Sequence, residues 1–280
     1  MPTSFSIAFV NCNGLNNKLR RGHMKEFIQK YDFVGLNEAR VDITTLGDKP
    51  KTNPRPNCPV DGYTLLYEPE FRPPEQGPSR RTNGGVGLLV RNELMPHCER
   101  IPIHDRDSVW CHVSEYIYGF DLVLGVQYIH QGCWRDWRVP GKGGVKKTER
   151  RRQHSFKSLI YPCLDPTPMR MLVLGDFNAF IYSQDTDGRY LEYGEKIQIK
   201  NTTPLQILNF HDRFREKGSR GTCHQTADTS KPRVIDYALA SEALLEFIDD
   251  FQVLPFSRDL SDYHSALEVK LKIDGLFTDV

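Results

Sequence analysis

Apolar positions along this chain fall mostly in short runs. β-Branched and aliphatic runs at 5–10, 33–36, 86–90, 109–113, 122–127, 171–174, 234–239 and 266–271 predict strands. Apolar residues three and four apart predict helices over about 24–30, 153–164, 205–217 and 242–247. Strands interleaved with helices, together with strands that follow one another directly, indicate a mixed α/β sandwich instead of a purely parallel sheet. Three stretches read as long loops: 68–83, with Pro69, Pro73, Pro74 and Pro78; 131–152, glycine-containing and basic; and 180–203, polar with scattered aromatics. Loops this long inside a compact domain are uncommon unless they serve a function or stay disordered. No repeat and no linker divides the chain, so one domain is expected over 1–280, with its core at about 4–272.

Composition changes this picture little. An α/β sandwich reaches roughly 200–250 residues as one domain, and the chain has 280 with 39% hydrophobic residues. A net charge of +1 does not announce a nucleic-acid partner, so any electrostatic footprint must be local. The seven cysteines form no CxxC pair, which argues against a zinc framework and for reduced thiols in an intracellular protein. The first ten residues do not read as a secretory signal, and no run approaches the ~18 apolar residues of a membrane span. The basic segment Lys146 to Arg152 reads as a nuclear address.

The chemistry lies at the strand ends, where a sheet presents side chains to a ligand. The first strand runs into Asn11-Cys12-Asn13-Gly14, and alternation in an extended segment puts Asn11 and Asn13 on one face. The second runs into Asn37-Glu38. Another runs into Gly175-Asp176-Phe177-Asn178, placing Asp176 and Asn178 on one side. Val234-Ile235 runs into Asp236, and Ser261-Asp262-Tyr263-His264 precedes the last strand. Carboxylates, amides and one imidazole are what phosphodiester cleavage needs. A hard cation takes oxygen ligands. An attacking water needs a carboxylate or an oriented imidazole. Amide donors suit the nonbridging phosphate oxygens.

Six motifs in order, Asn11 to Leu15, Asn37-Glu38, Asn83 to Gly87, Gly175 to Asn178, Ile235 to Tyr237 and Ser261 to His264, resemble the endonuclease/exonuclease/phosphatase superfamily. Within it they are most similar to the apurinic-type endonucleases of LINE-type retrotransposons. The resemblance implies a DNase I-like fold, a four-layered α/β sandwich of two packed mixed sheets flanked by helices. It also implies a Mg²⁺- or Mn²⁺-dependent endonuclease that nicks DNA to leave a 3′-hydroxyl. Its partners would be DNA and a reverse transcriptase domain of the same polyprotein, with no membrane and a nuclear place of work. Glu38 would be the main metal ligand, with Asn13 near the metal and Asp262 metal-linked. Asn11 and Asn178 would orient the phosphate, and Tyr128 would point at it. Asp176 would align or activate the water, and Asp236 would orient His264. The general base is either Asp176, the favoured choice, or the Asp236–His264 pair. One departure stands out. The family pattern is Ser-Asp-His, and here Tyr263 is inserted, which in a regular strand would turn the histidine to the other face unless a bulge absorbs it.

Taken singly, most of these motifs have blander explanations. Asn11 to Gly14 and Asp176 to Asn178 make good turns, Gly84-Gly85 suits a close backbone approach, and a lone His264 or Tyr128 is ordinary. Asp236 within an apolar strand is harder to dismiss, since a buried carboxylate needs a partner. The joint order outweighs the separate readings. The 131–152 loop carries Arg135, Arg138, Lys142, Lys146, Lys147, Arg150, Arg151 and Arg152 with Trp134 and Trp137, which suits phosphate contacts and base stacking. Abasic-site repair, an inositol-phosphate or lipid phosphatase, and an inactive binding module are the competing functions.

Overall fold

The computed structural model describes residues 4–41, 58–69, 84–102, 107–129, 169–178, 205–218, 220–224 and 234–272. The expected helix over 153–164, the basic segment 131–152 and the loop 180–203 lie outside the described residues. Among the described residues, twelve strands form two sheets of six. The first holds β1 (Ser4–Asn11), β2 (Phe33–Asn37), β3 (Tyr63–Glu68), β4 (Val86–Arg91), β11 (Ile248–Val253) and β12 (Leu267–Lys272) in the order β11-β12-β1-β2-β4-β3. The second holds β5 (Cys98–Arg100), β6 (Ser108–Val113), β7 (Leu122–Tyr128), β8 (Arg170–Asp176), β9 (Leu205–Ile207) and β10 (Asp236–Ser241) in the order β5-β6-β7-β8-β10-β9. The two sheets share one pattern of directions. A parallel pair sits at the centre of each, β1 with β2 and β7 with β8, and every other pairing is antiparallel.

The inner faces pack on each other through Phe5, Ile7, Phe9, Phe33, Leu88, Val126, Leu172, Leu174 and Val269, all buried. Strand alternation leaves Ala8, Val10, Val34 and Leu36 on the outer face of the first sheet. There α1 (Leu15–Leu19) and α2 (His23–Ile28) cover them with Leu15, Met24, Phe27 and Ile28. The outer face of the second sheet carries its own apolar set, including Trp110, Met171, Val173 and Tyr237. Three further short helices, α3 (Glu115–Tyr118), α4 (Arg215–Gly218) and α5 (Glu242–Leu245), lie between strands. Among the described residues no helix is long and apolar enough to cross a membrane.

All eight expected strands are present, the mixed α/β sandwich is what the strand pattern implied, and two packed mixed sheets are what the family resemblance implied. The helix expected over 205–217 is a correction. That segment is β9, a 3-10 turn at Leu208–Phe210 and the single turn of α4. The buried Asn209 decides it. Its amide donates to the Asp236 and Gly218 carbonyls, and its oxygen accepts from the Ala238 N–H, tying an irregular backbone to β10. The strand β11 escaped the sequence reading because a register shift between Ile248 and Asp250 breaks its alternation.

Candidate active site

Both parallel pairs end at the same place. Asn11 lies opposite Asn37 at the end of β1–β2, and Tyr128 lies opposite Asp176 at the end of β7–β8. The buried Asn37 amide joins the sheets by donating to the Gln127 carbonyl at 2.8 Å. Asn11 joins them again: its Nδ2 donates to Glu38 Oε1 at 3.3 Å and to Asp176 Oδ2 at 3.0 Å. Asp176 faces Asp236 across the β8–β10 ladder. His264 Nδ1 meets Asp236 Oδ2 at 2.9 Å. One ligand atom each from Asp176, Asp236 and His264 lies within 4.8 Å of the others.

The backbone around the site is shaped to hold Glu38. Asn13, Glu38, Arg40 and Asn178 all have positive φ, between 46° and 51°. A non-glycine residue there is strained by about 1 kcal/mol or more, so the surroundings must enforce it. For Glu38 they do. Its carbonyl accepts from the Gly14 N–H at 2.8 Å, and the next two N–H groups, of Ala39 and Arg40, donate to the Gly85 and Gly84 carbonyls. The Gly84-Gly85 turn is built for that approach. A Cβ on Gly85 would lie 2.1 Å from the Tyr67 hydroxyl oxygen, at a φ of +90°. Glu38 is also paired with Arg40 at 3.0 Å, a half-exposed ion pair of little worth that a ligand can displace.

The left-handed residues also correct the face assignments. β1 ends at Asn11, so Asn11 and Asn13 have different targets: Asn13 Nδ2 donates to Asp262 Oδ2 at 2.6 Å. Asp262 is held further by Lys18, whose Nζ lies 2.7 Å from Oδ1. Asn13 and Asp262, expected near a metal with Glu38, thus pair with each other and with an ammonium. Asn178 turns back so that its N–H donates to Asp176 Oδ1 at 2.9 Å, while its Nδ2 donates to the Ile129 carbonyl. The turn reading and the site reading of Asp176 therefore coexist. Tyr128 closes β7 beside Asp176, half-buried against the inter-sheet core.

The inserted Tyr263 does not flip His264. The chain bends before β12, Ser261 Oγ accepts from the His264 N–H at 3.0 Å, and His264 bridges Cys223. The extra residue is extruded: Tyr263 is 44% exposed, with its carbonyl accepting from the His224 N–H. The sequence reading missed Thr222, whose hydroxyl accepts from the Ile235 and Asp236 N–H groups and fixes the strand entry to Asp236. It missed Lys18 as well. Thr222 left no local signal, whereas Lys18 lies three residues after Leu15, on the inward side of α1.

Burial raises the Asp176 carboxyl to about 7, with the Asp236 charge adding to it. Burial opposes an imidazolium at His264, but the Asp236 carboxylate outweighs it and lifts His264 to about 9. Both folded values lie above the unfolded ones. Stability from His264 is therefore complete below its unfolded value near 6.5 and lost as pH rises through about 9. Asp176 behaves alike, its contribution complete below about 3.8 and lost as pH rises through about 7. The metal-free protein is expected to lose on the order of 3 kcal/mol between pH 6 and 9. Thermal melts across that range test this, and a midpoint that rises with pH would contradict it. Cys12, beside the site, is fully buried and its thiol is pushed up to about 12, so it stays protonated and takes no part.

Two packed mixed sheets whose central strands end in carboxylates and amides, with one imidazole brought in from the segment before β12, define the class. The family comparison then places the chain. It belongs to the endonuclease/exonuclease/phosphatase family, whose profile matches residues 8–258. Among solved structures it is similar to the AP endonuclease LMAP from Leishmania major, with a TM-score of 0.62 and 16% identity over 96% of this chain and 88% of that one. It is also similar to the 3′-5′ exonuclease NExo from Neisseria meningitidis, with a TM-score of 0.61 and 16% identity over 96% of this chain and all of that one. At such identity the likeness speaks for the fold. No curated protein matches the sequence.

Proposed function

We propose that this chain is a divalent-metal-dependent endonuclease that hydrolyses DNA phosphodiester bonds, leaves a 3′-hydroxyl, and serves target-primed reverse transcription in a LINE-type retrotransposon. The observation that carries the hydrolytic reading is Asn11, which brings the Glu38 and Asp176 carboxylates together beside the Asp236–His264 pair. The donor set fits a hard cation, since it is mostly carboxylate oxygen and burial, with the Asp236 charge beside it, disfavours the Asp176 anion until a cation answers it. Glu38 with the Asp176–Asp236 side would hold it. When bound, Mg²⁺ or Mn²⁺ polarises the phosphoryl group and eases ionisation of water.

The chain's own residues divide the remaining work. Asp176, bridged to Glu38 through Asn11, is placed to take the proton of the attacking water near neutral pH. His264, raised to about 9, is charged at that pH and donates to a nonbridging oxygen, which argues against it as the base. Asp236 holds the imidazole by Nδ1, leaving Nε2 for the phosphate. Asn11 and Asn178 fix the phosphate's orientation. DNA as the substrate is supported by the named activities of the two structural relatives and by the basic, tryptophan-bearing segment 131–152. The retrotransposon role rests on the order of the six motifs.

Supercoiled plasmid, an abasic-site duplex and an inositol polyphosphate, each with Mg²⁺ and with EDTA, separate the readings. Metal-dependent nicking of intact plasmid is expected. Cleavage confined to the abasic duplex would transfer the chain to lesion repair, and phosphate release from the inositol compound alone would make it a phosphatase.

A further inference from the structure

The Lys18 ammonium is a buried cation that the scheme above does not use. Lys18 is 3% exposed and sits on α1. Its Nζ donates to Asp262 Oδ1 at 2.7 Å and to the Arg258 carbonyl at 2.8 Å. Asn13 Nδ2 takes the other Asp262 oxygen at 2.6 Å. The Asn13 amide is thereby oriented, because turning it over would set its oxygen against a carboxylate oxygen. Its Oδ1 is left buried with no hydrogen-bond partner among the described residues. Asn13 and Asp262 are the two side chains that, besides Glu38, the family resemblance nominates for a metal.

We propose that Lys18 Nζ is a built-in cation that fills the Asn13–Asp262 half of the site, so that the chain holds a single divalent ion, on the Glu38–Asp176 side. The ammonium already answers the Asp262 charge, and each Asp262 oxygen already accepts a hydrogen bond. A second cation would have to displace Lys18 from a place where its hydrogen bonds are made, into no equivalent solvation. Repulsion between the fixed ammonium and an incoming ion works in the same direction. The low carboxyl affinity for protons at Asp262, caused first by the Lys18 hydrogen bond, agrees with that pairing. The inference rests on the divalent-ion part of the proposed function and is independent of the substrate.

Mn²⁺ titration of the purified chain, without nucleic acid, reads the stoichiometry by the paramagnetic signal of free Mn²⁺. One ion per wild-type chain is expected. Lys18→Met, of similar length and uncharged, is expected to take two, and Lys18→Met combined with Asp262→Asn to return to one. Two ions in the wild type would overturn the inference without any variant. One ion in a folded Lys18→Met chain would overturn it as well. Should Lys18→Met fail to fold, the charge-balanced Lys18→Met/Asp262→Asn chain decides: one ion at wild-type affinity supports the inference, and a second ion or a fall in affinity of about ten-fold or more overturns it. No bound ion in any chain would remove the divalent-ion reading together with this one.

Discussion

Replacing His264 by Ala is expected to lower kcat for DNA cleavage by about 100- to 1,000-fold. The imidazole is a buried charged donor paired with Asp236, whose carboxylate outweighs burial and keeps it protonated through neutral pH. The same change leaves Asp236, which is fully buried, without its charge partner. Breaking a buried pair costs about 3–5 kcal/mol. Cleavage is therefore compared well below the melting temperature of each protein. Asp236→Asn gives an independent check. It keeps the shape but removes the charge that outweighs burial, so His264 should lose its proton at lower pH and the alkaline limb of the rate profile should move toward neutrality. A His264→Ala chain with kcat within a few-fold of wild type would remove the imidazole from the chemistry.

Gly175→Ala is expected to be the most damaging single methyl addition near the site. A Cβ at Gly175 would lie 2.1 Å from the Gln127 carbonyl oxygen and 3.0 Å from its carbon. These are backbone atoms of the neighbouring strand, so no rotamer relieves the contact, and β7 and β8 must part where they set Tyr128 beside Asp176. Overpacking of this kind costs about 3 kcal/mol or more when the backbone has to move. A drop in melting temperature of roughly ten degrees follows for a chain of this size, with activity lost as Asp176 shifts. A variant that melts within two degrees or so of wild type would show that the strands can slide apart freely. The glycine of Gly-Asp-Phe-Asn thus has a steric reason that stands apart from the acid it precedes.

Much of the fold was legible because strand periodicity is local. The eight apolar runs became strands, and Asn11, Glu38, Asp176, Asp236 and His264 stand at or just beyond strand ends as their positions indicated. Where the reading failed, the deciding contact was distant in sequence. Asn209 turned 205–217 away from a helix by bonding to Asp236 and Ala238. A bulge hid β11. Alternation could not be carried past Asn11 or Asp176, since positive φ at Asn13, Glu38 and Asn178 re-aims each side chain.

By itself the sequence determined the kinds of groups available for chemistry and the strand ends that carry them, because hydrophobic alternation and motif order are properties of neighbouring residues. Tertiary structure alone decided how those groups pair. It joined Asn11 to Asp176 across 165 residues, set Lys18 rather than open space against Asp262 across 244, and pushed Tyr263 outward so that His264 could reach Asp236. The physical reason is that charge pairing and desolvation depend on distance in space, and those distances exist only once the two sheets have packed.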